Sequence, residues 1–242
     1  MINKLFFDYE TYSPVDISRT LANYAPQAEV LMCGWGMNDD PIKLWVPCEG
    51  EPMPTELYEA TRDPEVWLVA HHATFEQQIT NYTSVFGKHE IPLERYYCTM
   101  TQALEHNLPA ALEALCQVFR LDADKSKLKE GRALIKWFCT PNEHGQFRGM
   151  EPADKWQKFK DYCVSDVVAM REIHKMIPRI NYPFDNDAVE RQLWLSTERM
   201  NQRGFGIDTE LAEAAVTMAK RIANTSSQDM VNATDGAVQS AA

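Results

Sequence analysis

Apolar residues follow two rhythms along this chain. Early on they come in short runs of strand length. Lys4 to Glu10 is a brief apolar stretch ending in acids, and Glu29 to Met37 and Ile42 to Val46 follow it, separated by Asn38-Asp39-Asp40-Pro41. That separator is turn chemistry, so the pair reads as a hairpin. Val66 to Ala70 is continuously apolar, as a buried central strand is. Tyr96-Tyr97 supplies a last short strand before Thr99, a candidate helix cap. From Thr74 onward a helical period takes over, with Phe75, Ile79, Tyr82 and Phe86 on one face. Helices are predicted over Leu112 to Leu121, Lys129 to Phe138, Ala153 to Met176 and Asp187 to Arg203, the last ended by Gly204.

Strands first, with helices between and after, predict a mixed sheet covered by helices, an α/β or α+β core. Pro141 to Gly149 reads as a loop between helices, and Asn224 to Ala242 as a weakly structured segment of little periodicity. The 242 residues allow one or two domains, and 45% apolar residues are enough to fill a core.

Composition removes several function classes. A net charge of −11 disfavours a protein that coats nucleic acid nonspecifically, though it leaves room for a local basic groove. The apolar run near the N-terminus is too short for a signal peptide. No stretch approaches the ~20 residues of a membrane span. The 6 cysteines are scattered without a CxxC pair, which reads as reduced, mostly buried thiols of a cytosolic protein. Phosphate-loop, dinucleotide-binding, serine-hydrolase and zinc-protease signatures are all missing.

What remains is acids at strand ends. Asp8 and Glu10 close the first strand, and alternation puts them on one side of it. Two carboxylates facing one way can hold a hard divalent cation. Taken alone the pair is better explained as solvated acids at a strand exit, since acid-x-acid should occur by chance roughly five times in a chain this acidic. Glu76 falls in the first turn of the helix that leaves Val66 to Ala70, where it also complements the helix dipole. His71 and His72, beside that strand end, read as structural histidines. Tyr162 and Asp166 are four apart on a helix whose apolar stripe is Trp156, Phe159, Cys163, Val167 and Met170, so they project together along its edge. A surface pair would look the same.

Together, Asp-x-Glu on the first strand, an acid after the fourth strand and Tyr-x-x-x-Asp on a late helix resemble the DEDD exonuclease superfamily, in its tyrosine subtype. The histidine subtype would need His where Asp161 stands. The segments FFDYETYS, AHHATFEQQI, KLKEGRALIKWFCTP, YCVSDVVAMREIHKMIP and ERQLWLSTERMNQRGFGID are similar to bacteriophage-type family A (DNA polymerase I-like) DNA polymerases. The similarity runs over most of residues 3 to 210. Bacterial members carry Asn-x-x-x-Asp in the middle motif, where this chain has His72-Ala73-Thr74-Phe75-Glu76.

The resemblance implies a ribonuclease H-like fold, α/β, with a mixed sheet of about five strands, helices on both faces and a helical C-terminal extension. It implies a 3′→5′ exonuclease domain over residues 1–180 and a helical segment over 181–242 leading towards a polymerase domain absent from these residues. No nucleotide-adding activity is expected of this chain alone. The implied cofactors are two divalent metal ions, Mg²⁺ or Mn²⁺, held by Asp8, Glu10, Glu76 and Asp166, with Asp8 as the bridge. Tyr162 completes the catalytic set by orienting the attacking water, because a free phenol titrates near ~10 and is no base at neutral pH.

Tyr9, Thr11, Tyr12 and Phe75 are candidates to contact unpaired bases. Lys125, Lys127, Lys129, Arg132 and Lys136 form a basic cluster in an acidic chain. Of these Lys129 and Arg132 are the substrate-binding candidates, as phosphate contacts, although a solvated helix face explains them as well. The expected partners are a single-stranded or frayed DNA 3′ end and the polymerase portion, as the same chain or a separate subunit. The expected place is the cytoplasm of a bacterial or phage-infected cell, away from membranes. Two rival readings are an exoribonuclease of the same superfamily and a non-catalytic nucleic-acid-binding module. Intact acids at every motif position argue against the second.

Overall fold

The computed structural model describes residues 2–18, 20–87, 90–121 and 125–239, with the backbone alone over 125–129. Its strands are β1 Asn3–Tyr12, β2 Glu29–Met37, β3 Lys43–Trp45, β4 Val66–Ala70 and β5 Tyr96–Cys98. They form one mixed sheet in the order β3-β2-β1-β4-β5. β1 pairs antiparallel with β2 and parallel with β4, β2 antiparallel with β3, and β4 parallel with β5. The helices are α1 Leu21–Tyr24, α2 Thr55–Arg62, α3 Ala73–Thr83, α4 Thr99–Leu104, α5 Leu112–Val118, α6 Lys125–Phe138, α7 Ala153–Met176, α8 Val189–Arg203 and α9 Thr209–Ala233. This is the α/β fold expected from the sequence, consistent with a ribonuclease H-like domain carrying a helical extension.

Central β1 is covered on both faces, which is why its first half is a plain apolar run. Phe6 sends its ring against His174 of α7, with centroids 5.4 Å apart. Tyr9, on the opposite face, places its hydroxyl 3.0 Å from that of Thr80 on α3. The predicted stripe of α7, Trp156, Phe159, Cys163, Val167 and Met170, is buried throughout. α7 can lie close because β2 carries Gly34 beneath it. A Cβ on Gly34 would stand 2.9 Å from Val167 Cγ2 and 3.0 Å from the Cys163 carbonyl oxygen. A lone glycine inside a strand commonly marks such an approach.

Three sequence expectations shift. Thr99 is the first residue of α4, with no capping bond from the preceding position. Its hydroxyl instead donates to the Ala70 carbonyl at 3.3 Å and meets His71 Nδ1 at 2.9 Å, tying the end of β4 to α4. Tyr82 is 55% exposed and α3 stops at Thr83, so Phe86 reaches the core from the turn beyond rather than from the helix. The segment expected to be weakly structured is helical through Ala233, as the second half of α9. The first half of that helix carries Leu211, Ala215, Met218 and Ile222 at helical spacing, and the apolar period fades only in the second half; Asp208 caps it by accepting from Leu211 N at 2.9 Å. Residues Met1–Arg199 and Met200–Ala242 are separate compact units.

Candidate active site

The last parallel pair of β1 and β4 is Phe6 with Val69. Asp8, two residues further on, therefore lies beside the exit of β4, and on its other side it is registered with Gly34. Glu10 follows on the same side of the strand and is 6% exposed. Glu76 enters from the first turn of α3, because the β4–α3 link is a tight turn in which His72 takes a left-handed backbone, φ 69°. Glu76 is 2% exposed. Tyr162 and Asp166 come down from α7, both half-buried and hydrogen-bonded to each other. Elements far apart in sequence thus bring the five predicted catalytic residues to one end of the sheet.

The electrostatics follow from placing acids together with little water. Burial raises Asp8 to about 7, helped by the Asp166 charge and opposed by a hydrogen bond with Glu76. Asp166 is raised to about 6 by burial, partly offset by its bond from Tyr162. Glu10 is pushed well up by burial, then by the charges of Asp8 and Asp166. Burial and the Asp8 charge do the same to Glu76. Tyr162 is raised too, first by burial and then by Asp166. It stays a phenol at neutral pH and acts as a donor, not a base.

Among the described residues, no three His, Cys, Asp or Glu side chains are already gathered as a ligand set. The acids instead bond to what is nearest: Asp8 with Glu76, Asp166 with Tyr162, and Glu10 with the Cys139 thiol, which donates to Oε2 at 3.8 Å. One oxygen is left over. Glu76 Oε2 is buried with no hydrogen-bond partner, an arrangement that costs about 1–3 kcal/mol unless something else satisfies it. All-oxygen donors, mutual repulsion and an orphaned carboxylate oxygen fit hard divalent cations.

Residues outside the predicted set also shape this end of the sheet. Gly131 of α6 sits against the Tyr162 ring, where a Cβ would come within 2.3 Å of Cε2. Cys139, just past α6, reaches Glu10. Gly131 had a visible signal, a glycine inside a helical pattern, as did Gly34 inside a strand pattern; Cys139 had none.

Beside Glu10 lies a mostly apolar cavity of about 460 Å³, lined among others by Tyr9, Thr11, Tyr24, Phe75 and Cys139. Thr11 is buried, its hydroxyl 2.8 Å from that of Tyr24. Phe75 is half-buried, and Tyr9 is 4% exposed. Tyr12 is turned away, donating to the Gly145 carbonyl at 3.2 Å. Arg132 is exposed and ion-paired with Glu113, and does not line the cavity. The side chains of Lys125, Lys127 and Lys129 lie outside the described residues. His71 is structural, with Nε2 2.7 Å from the Ala110 carbonyl, whereas His72 is exposed.

The chain is 30% identical over 222 residues, 88% of its length, to a DNA polymerase of Bacillus phage SP02. The chain spans about a third of that relative, 33% of its length. No family model matches it. Among the described residues, no helix is long and apolar enough to cross a membrane.

Proposed function

We propose that this chain is a metal-dependent 3′→5′ exonuclease that removes nucleotides from single-stranded or frayed DNA ends, in the proofreading manner of a polymerase-associated domain. The observation that carries the reading is the meeting of Asp8, Glu10, Glu76 and Asp166, with a buried, unpartnered oxygen on Glu76. Likeness to a phage DNA polymerase over 88% of the chain makes DNA the natural substrate.

Asp8, Glu10, Glu76 and Asp166 would hold the cations, Mg²⁺ or Mn²⁺. Bound there, such ions neutralise repulsion between phosphodiester and nucleophile and acidify water. The remaining roles belong to the chain. Tyr162, held as a phenol, donates its proton to Asp166 and offers its oxygen to accept from the attacking water, which orients both. Gly131 leaves space for its ring. The cavity beside Glu10 takes an unpaired terminal base against Phe75 and Tyr9, with Thr11 at its wall. A duplex end would have to fray to reach it, so single strands are the preferred substrate.

The test is release of 5′-mononucleotides from a 3′-labelled single strand, with Mg²⁺ and with EDTA, on DNA and on RNA of one sequence. Metal-dependent release from DNA is expected. Faster release from RNA would move the reading to an exoribonuclease, and binding without release to a non-catalytic module.

A further inference from the structure

The seam between β1 and α7 has a second end. Four residues before Asp8, about 13 Å back along the strand at 3.3 Å per residue, a cavity of about 260 Å³ is lined by Lys4, Phe6, Asp39, His174, Lys175 and Arg179 among others. That volume is several times the roughly 30 Å³ share of one water, enough for a phosphate group with some of its waters. In a chain of net charge −11, three cations here border one small space. Lys175 is paired, 2.7 Å from Asp39 and 3.0 Å from Glu172. Lys4 and Arg179 have no carboxylate at ion-pair distance among the described residues.

The wall of this cavity holds an unsatisfied group. His174 is 1% exposed, and its Nε2 is buried without a hydrogen-bond partner. The tautomer follows from its neighbours. Gln102 donates its amide hydrogens to the carbonyls of His174 at 3.2 Å and Ile177 at 2.7 Å. Its carbonyl oxygen, 2.8 Å from His174 Nδ1, must then accept. Nδ1 carries the proton, and Nε2 is a bare acceptor. Burial, with Lys4, Arg179 and Lys175 close by, keeps the ring neutral.

We infer that this pocket binds inorganic phosphate, which at pH 7 still carries a hydroxyl in both of its ionised forms, whereas a monoester has mostly lost its last proton. Its anionic oxygens meet Lys4, Lys175 and Arg179, and its P–OH donates to His174 Nε2. Two features of the site select that chemistry: cations in excess, and one acceptor with nothing to accept from. A phosphodiester or sulfate satisfies the cations but brings no proton at neutral pH. The site lies apart from the carboxyl cluster and does not depend on what that cluster does.

The test uses the whole chain in EDTA at pH 7, so that the carboxyl end takes no metal. The long-range proton–nitrogen spectrum of the imidazoles is followed during titration with inorganic phosphate, with His174 assigned through its contacts to Phe6 and Tyr97. His174 Nε2 should move saturably towards the hydrogen-bonded value. 5′-dAMP, whose phosphate has mostly lost its last proton at pH 7, should move it more weakly than inorganic phosphate; an equal shift would overturn the requirement for a P–OH. Sulfate and dimethyl phosphate at equal ionic strength should act at least tenfold more weakly. The surface double variant Lys4→Gln, Arg179→Gln should bind phosphate at least tenfold more weakly with an unchanged Tm. A silent Nε2, equal response to sulfate, or full binding by the double variant each overturns the inference.

Discussion

The two ends of the β1–α7 seam share a strand and a helix and differ in everything else. At one end Asp8, Glu10 and Asp166, joined by Glu76, are packed together. At the other, Lys4, Lys175 and Arg179 border a buried neutral histidine. Their pH signs are opposite. Asp8 and Asp166 are raised above their ordinary value, to about 7 and about 6. Their protonated forms suit the fold, so their contribution is complete below about pH 4 and is lost as pH rises through 6 to 7. His174 is depressed to about 3 by burial and then by Lys4, Arg179 and Lys175. Its contribution is present above about 6.5 and is lost as pH falls towards 3.

The sharpest way to separate the ends is to disable one at a time. Asp8→Ala should lower nuclease turnover more than about 100-fold, beyond what loss of an outer-shell partner causes, with an unchanged circular dichroism spectrum. Lys175→Gln should leave turnover as it is. Comparable losses in both variants would mean that the ends act as one site.

Gly131→Ala and Tyr162→Phe probe how the carboxyl end is organised. The added methyl must displace the Tyr162 ring or α6, since Cε2 would lie 2.3 Å away. Overpacking of this kind costs about 1–3 kcal/mol, or roughly 2–4 °C of Tm per kcal/mol in a chain this size. Turnover should fall with it. Tyr162→Phe removes only the hydroxyl, and should lower kcat about tenfold, at the low end of general acid–base effects, while DNA affinity and Tm hold. If Tyr162→Phe keeps its kcat, the ring is packing and Gly131 merely accommodates it.

Glu76 tests the orphaned oxygen. Glu76→Asp draws the carboxylate back by one methylene, about 1.5 Å. It should raise the Mg²⁺ needed for half-maximal rate several-fold, and Glu76→Gln should raise it further. Superimposable metal titrations of the three proteins would leave Glu76 as a residue of the helix N-terminus alone.

The smallest effect reads the opposing pH signs directly. In EDTA, Asp8→Asn should raise Tm at pH 8, by roughly 2–4 °C per kcal/mol of relieved repulsion, and leave it unchanged at pH 4. Mg²⁺ should stabilise the wild type at pH 8 more than the variant. A variant less stable than wild type at pH 8 in EDTA would show that the Asp8 charge is already compensated within the fold.

Much of the carboxyl end could be read in one dimension. Asp8 and Glu10 alternate on one strand, Glu76 opens the helix after β4, and Tyr162 and Asp166 are four apart on α7. Strand and helix periods are local properties of the backbone, and so they survive in sequence. The α7 stripe was legible for the same reason, and the second half of α9 was not, because from Asn224 on the chain carries few apolar residues at helical spacing. The meeting of those acids, the Gly131–Tyr162 and Gly34–α7 approaches, the thiol on Glu10 and the whole cationic end were decided by tertiary structure. Lys4 and His174 are 170 positions apart, and neither signals the other. Only the run of α7 along β1 brings Lys175, and Arg179 just past the helix, to the cavity that Lys4 and His174 also line, because burial and proximity are properties of packed surfaces and no stretch of chain carries them alone.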